Sequence, residues 1–386
     1  MQAFSLSVPA RVNVLGNPSD ANEGDWHTIS AAIELRAGAR IEPAPTLQFD
    51  EYQRRPDGTL ERVARVQDRE SSLARDDCAE LQKAAIRRLL AYSPDFAARF
   101  ARQKVRLATW TDVPRQSGLG GSSLLVLLTL AALRQAYELD PLAHNDYVLA
   151  ELTQRAEALE MGITCGFADR YVPLFGGLAF VDYRGKLLHR PLDEEPYCTY
   201  ERLDSFVNEL PLVVCSTGIQ RDSGDVHGIM RGRYLHEHAA FEARSECCDP
   251  PYMLQVMAKV GATAWRGKIA LLRRDWHAFG ALMNENHRLV NEMMAYCGLH
   301  DGGITATNHL IEAALAAGAL GAKLTGAGGG GSVFALTVPG DQERLAEVFR
   351  RTAEELGLSE ALVFVPRIAR QGLVVEQTAL EPALAS

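Results

Sequence analysis

Apolar and polar residues alternate over Phe4 to Val8 and again over Arg11 to Leu15, a period of two that predicts strands. A turn-rich stretch, Gly16 to Gly24, leads into a second apolar run from Thr28 to Ile41, so the chain opens like a hairpin. From Asp50 to Glu80 fifteen of thirty-one residues are charged, around a Pro56-Asp57-Gly58 turn. That pattern reads as a solvated hairpin followed by a helix over Ala79 to Tyr92. A strand is predicted over Val105 to Trp110. Ser122 to Glu138 has helix length and is apolar nearly all round, the mark of a buried helix. Asn145 as N-cap and Gly162 as stop bracket a helix over Asp146 to Met161, and Gly177 to Tyr183 reads as a strand.

The second half begins with a strand, Leu210 to Ser216, then helices near Met230 to Arg244, Tyr252 to Arg274 and Trp276 to Met294. Strands at Ala322 to Thr325, Ser332 to Thr337 and Ala361 to Pro366 alternate with helices near Ala306 to Ala317 and Gln342 to Leu356. Strand, helix, strand, strand, helix, strand is a ferredoxin-like order with extra helices inserted. The polar stretch Pro191 to Phe206 is the expected linker, dividing a domain over 1–195 from one over 205–386. The last eight residues read as a frayed tail.

Composition adds what the chain is not. With 386 residues, 47% hydrophobic and 23% charged, it is an ordinary globular sequence of two to three domains, which the element order above makes α+β. A net charge of -9 lacks the basic face a nucleic acid requires, yet permits a small anion held by local Arg and Lys. The longest apolar run, Leu124 to Leu133, is about half the ~20 residues of a membrane helix, so no membrane span is expected. Met1 to Leu15 lacks the layout of a signal peptide. Seven cysteines are scattered, only Cys247 and Cys248 are adjacent, and no Cys/His metal spacing occurs. Free thiols in the cytoplasm are the simplest account.

Three glycine-bearing segments point to chemistry. Gly118-Leu119-Gly120-Gly121-Ser122-Ser123 leads directly into the buried helix. A loop without side chains lets an anion approach the backbone, and the free N–H groups and dipole of the helix start attract it. It is neither a Walker A loop nor a Rossmann fingerprint. Lys323 to Ser332 has glycine at five of six positions from 326 to 331, more than a hairpin needs, which suggests close backbone packing against another loop or a phosphate. Gly166-Phe167-Ala168-Asp169 places an acid beyond a glycine turn, with Glu157 and Glu160 one helix away; together they offer a base and a metal ligand for phosphoryl transfer.

Taken together these segments resemble the GHMP kinases, the family of galacto-, homoserine, mevalonate and phosphomevalonate kinases. Pro9-Ala10-Arg11-Val12-Asn13-Val14-Leu15-Gly16 is similar to the family's first motif, Pro114 through Ser123 to its second, and Lys323 to Gly331 matches its third residue for residue. The motifs keep family order and spacing along essentially the whole chain. Within the family the glucuronokinases are the nearest likeness, through Gly16 to Asp20, Pro114 to Leu119, Asp222 to His227 and Leu282 to Asn284. Galactokinase-like members carry Glu-His-x-Asp where this chain has Asn17-Pro18-Ser19-Asp20, which implies a different sugar-facing wall.

The resemblance implies a two-domain GHMP kinase fold: an N-terminal ribosomal protein S5 domain 2-like part with a left-handed crossover, a C-terminal ferredoxin-like part, and a site between them. It implies ATP and Mg²⁺, and a small-molecule sugar or sugar-acid acceptor; a homodimer is compatible with the reading. Asp169 would act on the acceptor hydroxyl and Arg11 on the transferred charge. Pro114, Ser117, Gly118, Leu119, Gly120, Gly121, Ser122, Ser123, Gly326, Gly328 and Gly329 would surround the nucleotide, and Asn17 and Asp20 would orient sugar hydroxyls. Ser122 and Glu157 would hold the metal, with Ser123 and Glu160 as the alternatives because of one extra residue in each segment. A sugar carboxylate calls for an Arg, with Arg231 and Arg233 preferred over Arg115 and Arg221. The implied reaction is phosphorylation of the anomeric hydroxyl of glucuronate; the alternatives are a galactose, fucose or heptose kinase, a decarboxylase of the same superfamily, or a sugar sensor.

Overall fold

The fold comes from a computed structural model that describes residues 2–22, 26–54, 59–68, 73–75, 79–114, 116–186, 190–219, 223–243, 249–300, 304–326 and 331–378. The predicted turn at Pro56 to Gly58, Arg115, Arg221, Asp222, the Cys247 and Cys248 pair, Gly328, Gly329 and the last eight residues lie outside them.

The N-terminal half runs β1 (Ala3–Leu15), β2 (His27–Ala44), β3 (Leu47–Arg54), β4 (Leu60–Asp68), α1 (Glu80–Tyr92), α2 (Pro94–Arg102), β5 (Lys104–Thr111), α3 (Gly121–Ala136), α4 (Asp146–Arg155), α5 (Ala168–Phe175), β6 (Leu178–Asp182) and β7 (Thr199–Arg202). The C-terminal half runs β8 (Leu212–Ser216), α6 (Ser223–Glu242), α7 (Tyr252–Leu272), α8 (Trp276–Tyr296), α9 (Ile304–Ala316), β9 (Gly321–Thr325), β10 (Ser332–Leu336), α10 (Gln342–Glu355), β11 (Leu362–Phe364) and β12 (Val374–Thr378).

The first sheet has the path β12-β1-β2-β5-β3-β4, with β6 pairing β2 and β7 pairing β6. Among the described residues only β3 and β5 pair in parallel. The second sheet has the order β11-β8-β10-β9, all antiparallel, which is the ferredoxin-like arrangement the element order predicted. Both halves follow the predicted α+β plan, with local differences. The two short strands at the start are one strand, β1, bent by a register shift between Pro9 and Ala10. Ser93 accepts from the Phe96 N–H and Pro94 opens α2, so this missed helix carried a cap and a first-turn proline in its sequence. Part of the expected linker is β7. Finally, β12 returns to pair β1, Ala3 opposite Thr378, so this strand belongs to the first sheet rather than to a self-contained C-terminal domain.

α3 fills the middle of the core. Leu124, Val126, Leu127, Leu128 and Leu130 are fully buried, each worth roughly 1.5–3 kcal/mol of apolar burial, and they pin the helix start in place beneath the first glycine loop.

Candidate active site

Strand alternation sets the floor of the site. Ala10, Val12 and Val14 occupy one face of β1, which leaves Arg11 and Asn13 on the other. Arg11 is buried; its Nε and Nη2 both lie 2.5 Å from Asp169 Oδ1, and Nη1 donates to the Gly118 carbonyl at 2.5 Å. One side chain thus ties the acid of the third segment to the loop of the first. Asp169 sits in the first turn of α5, where the helix dipole favours a carboxylate, and its Oδ2 lies 3.6 Å from Arg170. Burial would raise the Asp169 pKa, but the Arg11 and Arg170 charges outweigh it, and the carboxyl is held below the usual aspartate value.

The glycine loop turns through left-handed backbone at Gly118 (φ 73°) and Gly120 (φ 89°), and Gly121 starts α3. The second glycine segment packs directly on it. A Cβ at Gly118 would stand 3.0 Å from the Thr325 carbonyl, one at Gly326 3.1 Å from Gly118, and one at Gly331 3.0 Å from the Ser117 carbonyl. At Gly326 and Gly331, the described glycines of that run, close packing against another loop is therefore realised. Ser332 Oγ donates to the Ser117 carbonyl at 2.7 Å and completes the seam.

The carboxylate of Glu157 accepts from both serines, Ser122 Oγ at 3.0 Å and Ser123 Oγ at 2.8 Å, and is ion-paired with buried Arg170. Ser122 is exposed to the cleft whereas Ser123 is 2% exposed. Glu160 points elsewhere, into a cluster with Arg75, Arg87 and Arg88. The predicted continuous helix to Met161 in fact stops at Arg155 and widens into a π turn, Ala156–Glu160. A π turn absorbs one extra residue in a helix, so Glu157, which faces the serines, and Glu160 point to different sides.

These groups line a cleft of about 240 Å³ that contains Arg11, Asn17, Asp20, Ser117, Gly118, Gly120, Gly121, Ser122, Ser123, Glu157, Asp169 and Gly326. Pro114 and Leu119 do not line it; Leu119 is buried in the core. Two predicted sugar contacts have other partners. Asn17 donates to the Gly326 carbonyl at 3.2 Å and accepts from Lys323 Nζ at 2.7 Å, so its amide is committed to bracing the second glycine segment. Asp20 Oδ2 accepts from the N–H groups of Phe167 (3.1 Å) and Ala168 (3.0 Å), capping α5 from outside the helix and thereby orienting Asp169. Burial, then the neighbouring Asp169, raise the Asp20 pKa.

An adjoining cavity of about 280 Å³ meets the cleft along Ile163, Thr164 and Cys165, and Arg231 lies on its wall. Arg233 does not. It bonds Glu237 and Tyr296 and is half-exposed on another side of α6. Residues two apart on an α-helix point about 160° from each other, so Arg231 and Arg233 could not have served one carboxylate together. Arg170 and His227, both in the cleft, were missed by sequence reasoning; only the adjacency of Arg170 to Asp169 and the position of His227 in a recognised stretch pointed to them.

An ionised acid held between two guanidiniums, beside exposed N–H groups at a helix start, suits transfer of a phosphoryl group to an alcohol. Comparison with known proteins carries this class to a family. Residues 80–177 match the GHMP kinases N terminal domain, and residues 268–355 match the GHMP kinases C terminal family. The chain is 30% identical over 273 residues to the mevalonate kinase of Pyrococcus horikoshii, covering 69% of this chain and 67% of that one. It is 28% identical over 345 residues to glucuronokinase 1 of Arabidopsis thaliana, covering 89% and 88%. The fold matches that of Lactococcus lactis galactokinase complexed with galactose, with a TM-score of 0.71 at 18% identity over 96% of this chain and 95% of that one. The protein belongs to the GHMP kinases: it is a phosphotransferase with an alcohol acceptor, and ATP is its donor. Among the described residues no helix is long and apolar enough to cross a membrane.

Proposed function

We propose that this kinase phosphorylates the anomeric hydroxyl of a sugar acid, glucuronate, giving the 1-phosphate. The observation that carries the reading is the pairing of the Asp169 site with a second cavity whose wall includes Arg231, a separate place for an acceptor that ends in a carboxylate. The likeness to the glucuronokinase over 89% of the chain supports it.

In this reading the backbone from Gly118 to Ser123, with the start of α3 behind it, holds the triphosphate. Asp169 orients the acceptor hydroxyl. A carboxylate with a lowered pKa is a weak base, which suits a loose phosphoryl-transfer transition state that asks for alignment more than early proton removal. Arg11 meets the charge on the transferred group. The oxygen donors Ser122 and Glu157 fit Mg²⁺, which takes few protein ligands and draws the rest from phosphate and water. When bound, the ion supplies charge neutralisation between the phosphates.

Two outcomes are expected. Arg11→Gln removes a charge that lowers the Asp169 pKa, so the acidic limb of the kcat profile moves to higher pH, with kcat reduced on the order of 10²-fold. A pH–rate profile of the variant against wild type measures both, and an unmoved limb removes Asp169 as its origin. Arg231→Ala should reduce kcat/KM for glucuronate by roughly 30-fold or more, the cost of leaving a ligand charge buried and unpaired, with little effect on neutral sugars and with Arg233→Ala near wild type. The assay is ADP release with glucuronate, glucose, galactose, a heptose and mevalonate as acceptors. A wild-type preference for a neutral sugar or for mevalonate overturns the glucuronate reading.

A further inference from the structure

α6 brings one more side chain to the reaction. Its residues Val226, Met230 and Tyr234 are buried with Met253, Met257 and Val290 of α7 and α8, which fixes how the helix is rotated. His227 and Arg231 come one position later than Val226 and Met230, and four residues apart they share a face. His227 opens onto the cleft that holds Asp169, while Arg231 reaches the adjoining cavity. His227 is thus the C-terminal half's imidazole facing the N-terminal half's acid.

The other polar groups around the acceptor position are largely committed. Arg11 is bonded to Asp169 and Gly118, Arg170 to Glu157 and the Gly166 carbonyl, and Asp20 caps α5. The His227 ring is half-buried and has no hydrogen-bond partner among the described residues. Burial lowers its pKa to about 4; Asp169 opposes the shift, and the Arg170 and Arg11 charges reinforce it. Near pH 7 the ring is neutral, with one nitrogen donating and the other accepting. An alcohol matches that pair of functions, whereas a carboxylate can use only the donor.

Building on the sugar-kinase reading, we propose that His227 is an acceptor-binding residue that hydrogen-bonds a sugar hydroxyl next to the one held by Asp169, and so selects polyhydroxylated acceptors. Carboxylate recognition is then left to Arg231, one turn further along the same helix.

The test uses the full chain, the sugar that wild type turns over best, and the set of its monodeoxy analogues. In wild type one analogue should lose about 10- to 100-fold in kcat/KM, because a built polar site rejects a ligand that lacks its partner. His227→Ala should lose a similar factor on the parent sugar and nothing further on that analogue, with the KM for ATP unchanged. His227→Asn, which keeps a donor and an acceptor, should recover part of the loss. An unchanged acceptor kcat/KM in His227→Ala, or equal losses on every analogue in both proteins, overturns the assignment while leaving the sugar-kinase reading intact. A wild-type enzyme that turns over no sugar overturns both.

Discussion

Asp169→Asn is expected to lower kcat by about 10²- to 10⁴-fold while ATP affinity stays within about threefold of wild type. In the proposed mechanism the acid serves the acceptor; it is clamped between Arg11 and Arg170 and makes no bond to the glycine loop itself. Its loss therefore removes orientation of the attacking hydroxyl without touching the groups that cradle phosphate. The amide retains an oxygen for Arg11, so the tie between β1 and α5 survives and the variant should fold. Nucleotide titration together with steady-state turnover measures the two parts separately. Retention of more than about a tenth of wild-type kcat would remove Asp169 from the mechanism.

Gly120→Val should raise the KM for ATP by about 10- to 100-fold and leave the acceptor KM much less affected. Gly120 has φ 89°, where a residue with a Cβ is strained by roughly 1–2 kcal/mol, and a branched one by more. A Cβ there would stand 3.7 Å from the Arg11 guanidinium, so the damage comes from the displaced N–H groups and the filled approach path rather than from a clash with the core. Initial rates over a matrix of ATP and acceptor concentrations check this. A fall in thermal stability with unchanged ATP kinetics would mean that Gly120 serves packing alone.

Much of the site was legible because it depends on residues close together in sequence. The glycine loop, the acid after Gly166 and the second glycine run are short patterns whose backbone demands can be read from residue types. Arg11 and Asp169 are 158 positions apart, yet each sits in a motif that named it. What escaped were commitments made across the fold. Asn17 looks like a sugar contact in sequence, but Lys323 and Gly326, some three hundred residues away, occupy both ends of its amide. Asp20 has the right chemistry for a hydroxyl, and its Oδ2 caps a helix that begins at Ala168.

The sequence by itself determined the elements and their order, because apolar periodicity and caps act over a few residues: α3 is buried on every side as its composition required, and β8 to β11 follow the ferredoxin-like order. Only the tertiary structure decided between near neighbours. A π turn set Glu157 toward the serines and Glu160 away from them, the rotation of α6 against α7 and α8 separated Arg231 from Arg233 and turned His227 to the cleft, and pairing with β1 returned β12 to the first sheet. The physical reason is the same in each case: a side chain's direction depends on how its element is rotated and docked, and that is fixed by burial against partners distant in sequence.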